Sequence, residues 1–158
     1  MANVLFQAIY FFLPAYVANT VAGILGYGRP IDLGRDFIDG KRIFGDGVTV
    51  RGTVSGVLAG TITGLLQGTL LLGLVLGVGA MGGDAMSSFI KRRLGKPRGS
   101  PLFPLDQLNF VLGGLLLASL IKSIPSLKII PVLFLITPLG HIAANKLGYH
   151  LKLKDVPW

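Results

Sequence analysis

Residues 53–90 read TVSGVLAGTITGLLQGTLLLGLVLGVGAMGGDAMSSFI, and Asp84 is the only ionisable side chain among them. At 1.5 Å of rise per residue, one continuous helix of this length would be about twice as long as the ~30 Å hydrocarbon core of a bilayer. Two antiparallel membrane helices joined by a tight turn near residues 68–73 fit better, and the stretch predicts helices at about 53–70 and 72–91. Working outward, further apolar runs predict helices at about 4–26, 106–121 and 129–146. Pro14 is expected to kink the first. That first run lacks a basic n-region and a small-residue cleavage site, so it reads as a retained membrane helix. The predicted fold is an all-α integral membrane protein, residues 1–158 as one domain. It has about five transmembrane helices, with polar loops at about 27–52 and 92–105 forming the site.

The composition agrees with a membrane protein. Hydrophobic residues make up 51% of the 158-residue chain and charged ones 14%, with a mean hydropathy of +0.68, too apolar for a soluble domain. Cysteine is absent and there are two histidines, which excludes a disulfide framework, a thiolate nucleophile and a histidine-built metal cluster. The net charge of +8 suits anionic lipid or a phosphorylated ligand. Nucleic acid is not expected as a partner, because the aromatics lie in the apolar runs and no long basic face is visible. With five spans, both polar loops and the tail from Lys146 fall on one side, carrying thirteen Lys/Arg against Lys122 and Lys128 on the other. By the positive-inside rule the loops are cytoplasmic and the N-terminus external.

Asp84 sits about 10 Å of helix below Lys91, inside the hydrocarbon or at its edge. An ionisable group there costs several kcal/mol unless it faces a polar cavity, so Asp84 is a site candidate. Asp84, Ser88 and Lys91, spaced i, i+4, i+7, share one helix face. Asp106 begins the next helix and should return to the same membrane level, although a carboxylate there also complements the helix dipole. In the first loop, DGKRIFGDGVTVRG (residues 39–52) interleaves glycines with Asp39, Arg42, Asp46, Thr49 and Arg51. Glycine-rich backbone offers N–H groups to a phosphate and arginine adds bidentate contacts. Asp-Gly pairs also simply mark turns, and the stretch lacks the GK[ST] ending of a Walker A loop. Asn19, His141 and Asn145 read first as interhelical hydrogen-bonding residues; each also sits on the loop-side half of its helix, where it could line the same cavity. Tyr149 and Trp158 read as interface anchors.

The stretches PAYVAN, PIDLGRDFIDGKRIFGDGVTVRG, GDAMSSFIKRRLGKPRGSPLFPLDQLNF and HIAANKLGYHLKLKDVPW resemble the CDP-archaeol synthase family, archaeal membrane cytidylyltransferases related to the bacterial CDP-diacylglycerol synthases. The resemblance covers nearly the whole chain. One departure is Val48, where relatives often carry lysine. The resemblance implies transfer of a cytidylyl group from CTP to an anionic isoprenoid ether-linked phospholipid, with Mg²⁺, at the cytoplasmic face of the cell membrane. It implies that Asp84 and Asp106 hold the metal. Lys91, Arg92, Arg42 and Arg51 are expected to neutralise phosphates, with Arg93 and Ser88 beside them. A CDP-alcohol phosphotransferase is excluded by spacing, because DGKR sets Arg42 too close to Asp39 and no GxxxDxxxD follows. The alternative of a non-catalytic transporter or assembly protein predicts polar residues along a path through the bilayer, whereas here they gather at one face.

Overall fold

The computed structural model describes residues 2–150 and residue 152. The expected interface role of Trp158 and the last tail cation, Lys154, lie outside them. Five helices follow in order: α1 (Ala2–Leu25), α2 (Val50–Leu66), α3 (Leu70–Arg93), α4 (Leu105–Leu120) and α5 (Ile129–His150). α1, α3 and α5 are long and apolar enough to cross a membrane, while α2 and α4 are shorter, at 17 and 16 residues. Large apolar side chains such as Leu58, Ile62, Leu116 and Leu135 point outward and are more than half exposed, a surface that suits lipid and not water. The chain is a multi-pass membrane protein.

Local chemistry sets the helix ends. α2 starts three residues earlier than residue 53 because the Thr49 hydroxyl accepts the Gly52 N–H at 3.0 Å, capping it. It ends at Leu66, where Gly68 takes φ +73° and Thr69 N–H returns to the Gly64 carbonyl at 2.7 Å. Only glycine adopts that backbone without strain, and the turn sends α3 back alongside α2.

α3 is central, packing against α4, α2 and α1, and α5 lies against α1 and α4. Glycine decides how close the backbones come. Gly52, Gly56, Gly60 and Gly64 form one buried row on α2. A Cβ on Gly60 would lie 3.0 Å from Gly77 Cα, 3.1 Å from the Pro14 carbonyl oxygen and 3.3 Å from that of Gly73. On the other side of α3, a Cβ on Gly79 would meet the Gly113 carbonyl oxygen at 2.5 Å. These are backbone contacts, which cannot move aside as a side chain can. The sparse large core is aromatic, with Phe12 against Phe110 at 6.5 Å between ring centroids and edge-on to Tyr16 at 5.6 Å.

The α1–α2 connection and the end of α3 meet at one end of the bundle. Arg93 donates to the Arg42 carbonyl at 2.6 Å and the Lys41 carbonyl at 3.0 Å, and its Nε lies 2.8 Å from Asp39 Oδ2. Lys41 Nζ returns a bond to the Arg93 carbonyl at 2.7 Å. The Arg93 guanidinium also covers the Phe89 and Phe37 rings.

Gly60→Leu should therefore destabilise the bundle by at least the ~1–3 kcal/mol of an overpacked core. Gly82→Ala, whose Cβ would meet nothing within 4 Å, should not. Thermal unfolding in detergent micelles measures both, and equal melting temperatures would refute the close-packing account.

Candidate functional site

The α1–α2 connection is built around Asp32, whose side chain is buried. Its carboxylate accepts the backbone N–H groups of Gly34, Phe44 and Gly45 at 2.9–3.0 Å and the Arg42 guanidinium at 2.8 Å. Burial by itself would raise this acid. The Arg42 pair and the three N–H bonds outweigh burial and hold it well below the usual carboxylate range. Arg42 also reaches Asp46 at 2.9 Å. The Asp32 hub thus folds residues 32–45 into a closed loop, which returns through the Ile31 N–H to Val48 carbonyl bond at 2.9 Å. Thr49 then starts α2.

Where this loop meets the helices there is a polar cavity of about 170 Å³. Asn19 of α1, Gly47 to Thr49 with Thr53 at the start of α2, Asp84 of α3 and His141 of α5 line it. The N-terminus of α2 carries partial positive charge and amide hydrogens, suited to an anion. Asp84 brings the only acid into the lining.

Two aspartates are held by a reciprocal brace between α3 and α4. Asn109, three residues after Asp106, donates to Asp84 Oδ1 at 3.3 Å, while Ser87, three residues after Asp84, donates to Asp106 Oδ1 at 3.1 Å. Lys91 pairs with Asp106 Oδ1 at 2.7 Å, and the Leu102 N–H bonds Oδ2 at 2.8 Å. Lys91, from the expected face of Asp84, Ser88 and Lys91, thus reaches the second aspartate, and Ser87 beside that face joins it.

The other expected residues divide into two groups. Thr49 lines the cavity beside Asp84. Arg92 lies against Gly45, and its buried Nε has no hydrogen-bond partner among the described residues. By contrast, Arg93 and Asp39 are engaged with each other, Asp46 with Arg42, and Arg51 stacks over the Tyr27 ring at 3.9 Å. Ser88 is half-buried and outside the cavity lining. Asn19 and His141 both line the cavity, the second of the two roles their positions allowed, and Asn145 contacts His141 at 3.2 Å within α5. Ser87 and Asn109 carried a signal only in hindsight, as polar residues one turn after each aspartate.

Fold and site together define a multi-pass membrane protein with an oxygen-lined polar cavity at one end of its bundle. The family model described as CarS-like, CDP-archaeol synthase, matches residues 1–158. A CDP-archaeol synthase from Methanopyrus kandleri is 46% identical over 160 residues, covering 96% of this chain and 92% of that one. One from Methanocaldococcus jannaschii is 44% identical, covering 99% and 98%. A solved structure described as an intramembrane enzyme for archaeal membrane lipids biosynthesis superposes with a TM-score of 0.78 at 35% identity, covering 89% of this chain and 94% of that one. The chain belongs to the CDP-archaeol synthase family.

Because the Asp32 carboxylate is depressed in the folded protein, its contribution to stability is present above the unfolded value of ~3.9 and is lost progressively as pH falls below that value toward the depressed folded one. Asp32→Asn should lower stability at pH 7 by about 2–3 kcal/mol, the scale of a charged hydrogen bond. It should also flatten the acid side of the stability profile. Thermal melts from pH 7 down to pH 2 check both; an unchanged acid limb below pH 4 would remove Asp32 as its source.

Proposed function

We propose that this chain forms CDP-archaeol, transferring the cytidylyl group of CTP to an anionic isoprenoid ether-linked phospholipid with release of pyrophosphate. The observation that carries this reading is Asp84, an acid at the membrane edge, opening into a cavity that the N-terminus of α2 also faces. An oxygen of the lipid phosphate attacks the α-phosphorus of CTP. The new P–O bond makes the diphosphate, and the bond to the β-phosphate breaks with its electron pair leaving on pyrophosphate. Such a transfer asks the protein for positioning and charge neutralisation.

The donor set fits Mg²⁺. Asp84, the Thr49 and Thr53 hydroxyls and nearby carbonyls are hard oxygen donors. Among the described residues no group of three His, Asp or Glu could hold a metal alone, so nucleotide phosphates and water would complete the shell. When bound, Mg²⁺ would neutralise phosphate charge and polarise the α-phosphorus. Asp84 and Asp106 would hold it, and Lys91, 2.7 Å from Asp106, would supply an ammonium for the phosphates. Arg92 supplies a second cation, and the α2 N-terminus supplies amide hydrogens. Arg42, Arg51 and Thr49 act by shaping the loop against which the triphosphate lies.

The site faces the cytoplasm in this reading, with the N-terminus external, because thirteen of the fifteen Lys/Arg fall on the site's side. A transporter would need polar groups spread along the bilayer, whereas the polar cavity lies at one end of the bundle.

The test is purified protein with labelled CTP, Mg²⁺ and an isoprenoid diether of glycerol phosphate, with the product separated by chromatography. Cytidylyl-lipid should form and should vanish with a chelator. Asp84→Asn and Asp106→Asn should each reduce turnover by about 10²–10³-fold, the usual cost of losing a group that stabilises developing charge, while still folding. Full activity in either variant would remove that residue from the site; no product from the wild type would overturn the reading.

A further inference from the structure

A second cavity, about 350 Å³ and largely apolar, runs between α1 and α5 from Ile9 up to Asn19 and His141. Ile9 and Asn19 are ten residues apart, about 15 Å of helix, so the groove descends from the site into the hydrocarbon. Its volume falls in the ~300–1,000 Å³ range of ligand pockets. Two groups fix its shape. The Tyr16 and Thr137 hydroxyls join α1 to α5 at 2.7 Å, and Phe110 of α4 stacks near the His141 ring at 6.2 Å.

The groove and the polar cavity have two lining residues in common, Asn19 and His141. The pair therefore stands where apolar and polar spaces join, as a phosphate ester on a hydrocarbon chain requires. The Asn145 amide nitrogen, a donor only, lies against His141 Nδ1. That contact holds the His141 ring in place at the junction, where its imidazole can exchange hydrogen bonds with a phosphate. A third space of about 290 Å³, between α3 and α4, shares no lining residue with the polar cavity. Its Ser87 and Asn109 hold the two aspartates from the opposite side.

Resting on the reading above, we propose that the lipid substrate enters through the α1–α5 groove: an isoprenoid chain lies along Ile9, Tyr16 and Gly140, and Asn19 and His141 receive its phosphate beside Asp84. Asn19 and His141 are positioning residues, orienting the lipid phosphate toward the α-phosphorus.

Glycine makes the test direct. A Cβ on Gly140, which lines the groove, meets nothing within 4 Å, so a side chain can be introduced there; Gly82 offers the same freedom in the α3–α4 space. With the full chain in micelles and an isoprenoid diether of glycerol phosphate as the varied substrate, Gly140→Leu should raise the lipid KM at least tenfold. Its CTP KM should stay within twofold of wild type. Gly82→Leu should leave both constants unchanged. His141→Ala should raise the lipid KM, and His141→Gln, which keeps a hydrogen-bonding amide in that place, should recover most of the loss. Independently of any variant, a photoactivatable isoprenoid lipid phosphate should cross-link to α1 or α5 peptides. A wild-type lipid KM in Gly140→Leu, an effect from Gly82→Leu instead, or cross-links confined to α3 and α4 would overturn the proposal while leaving the reaction standing. A wild type that forms no cytidylyl-lipid would overturn the reaction, and the groove assignment with it.

Discussion

Everything in this molecule depends on how closely α3 approaches its neighbours. Glycine meets glycine on both sides of it, Gly60 and Gly64 against Gly73 and Gly77, and Gly79 and Gly83 against Gly113 and Asn109. In a bilayer, apolar side chains gain little by leaving lipid for one another, so close backbone packing has to provide much of the association. This packing seats α3 between α2 and α4. It places Asp84 beside the start of α2 and within a hydrogen bond of Asn109. Wider spacing would leave the carboxylate facing hydrocarbon, where an unpaired charge is costly.

Charge is used for construction as much as for recognition. Asp32 gathers three backbone N–H groups and Arg42, and Arg93 ties that loop to the end of α3 through carbonyls, Asp39 and two aromatic rings. These bonds hold Gly47 to Thr49 against the cavity and let Thr49 cap α2. What remains for an anionic ligand is a smaller set: Arg92 beside Gly45, Lys91 on Asp106, and the first turn of α2. The basic excess of the chain therefore overstates the positive charge available in the site, because several of the cations are already neutralised within the loop.

The five-helix arrangement was legible in residues 53–90, since a single acid in nearly forty residues admits few alternatives to paired membrane helices. Asp84 and Asp106 stood out for the same reason, as charges at the edge of apolar runs. What was not legible depended on tertiary contact. Arg93 and Asp39 look like ligand-binding residues in a charge-rich loop, and only the fold shows them bonded to each other. Ser87 and Ser88 are neighbours in sequence, and only the crossing of α4 shows that Ser87 is buried against Asp106. Asn19 and His141 sit at matching depths on apolar helices, which allowed a shared polar cavity, but no local pattern could show that they also line a second, apolar one.

The central claim is that Asp84 faces the place where the nucleotide's phosphates and the lipid's phosphate meet. Crystals grown with CTP and Mn²⁺, a substitute for Mg²⁺ visible by its anomalous scattering, test it most directly. The account requires a manganese peak in the polar cavity within coordinating distance of the Asp84 carboxylate, with CTP phosphate oxygens completing its shell, and no such peak in Asp84→Asn. A metal–nucleotide complex bound elsewhere in the wild type, or retained unchanged in Asp84→Asn, would contradict it.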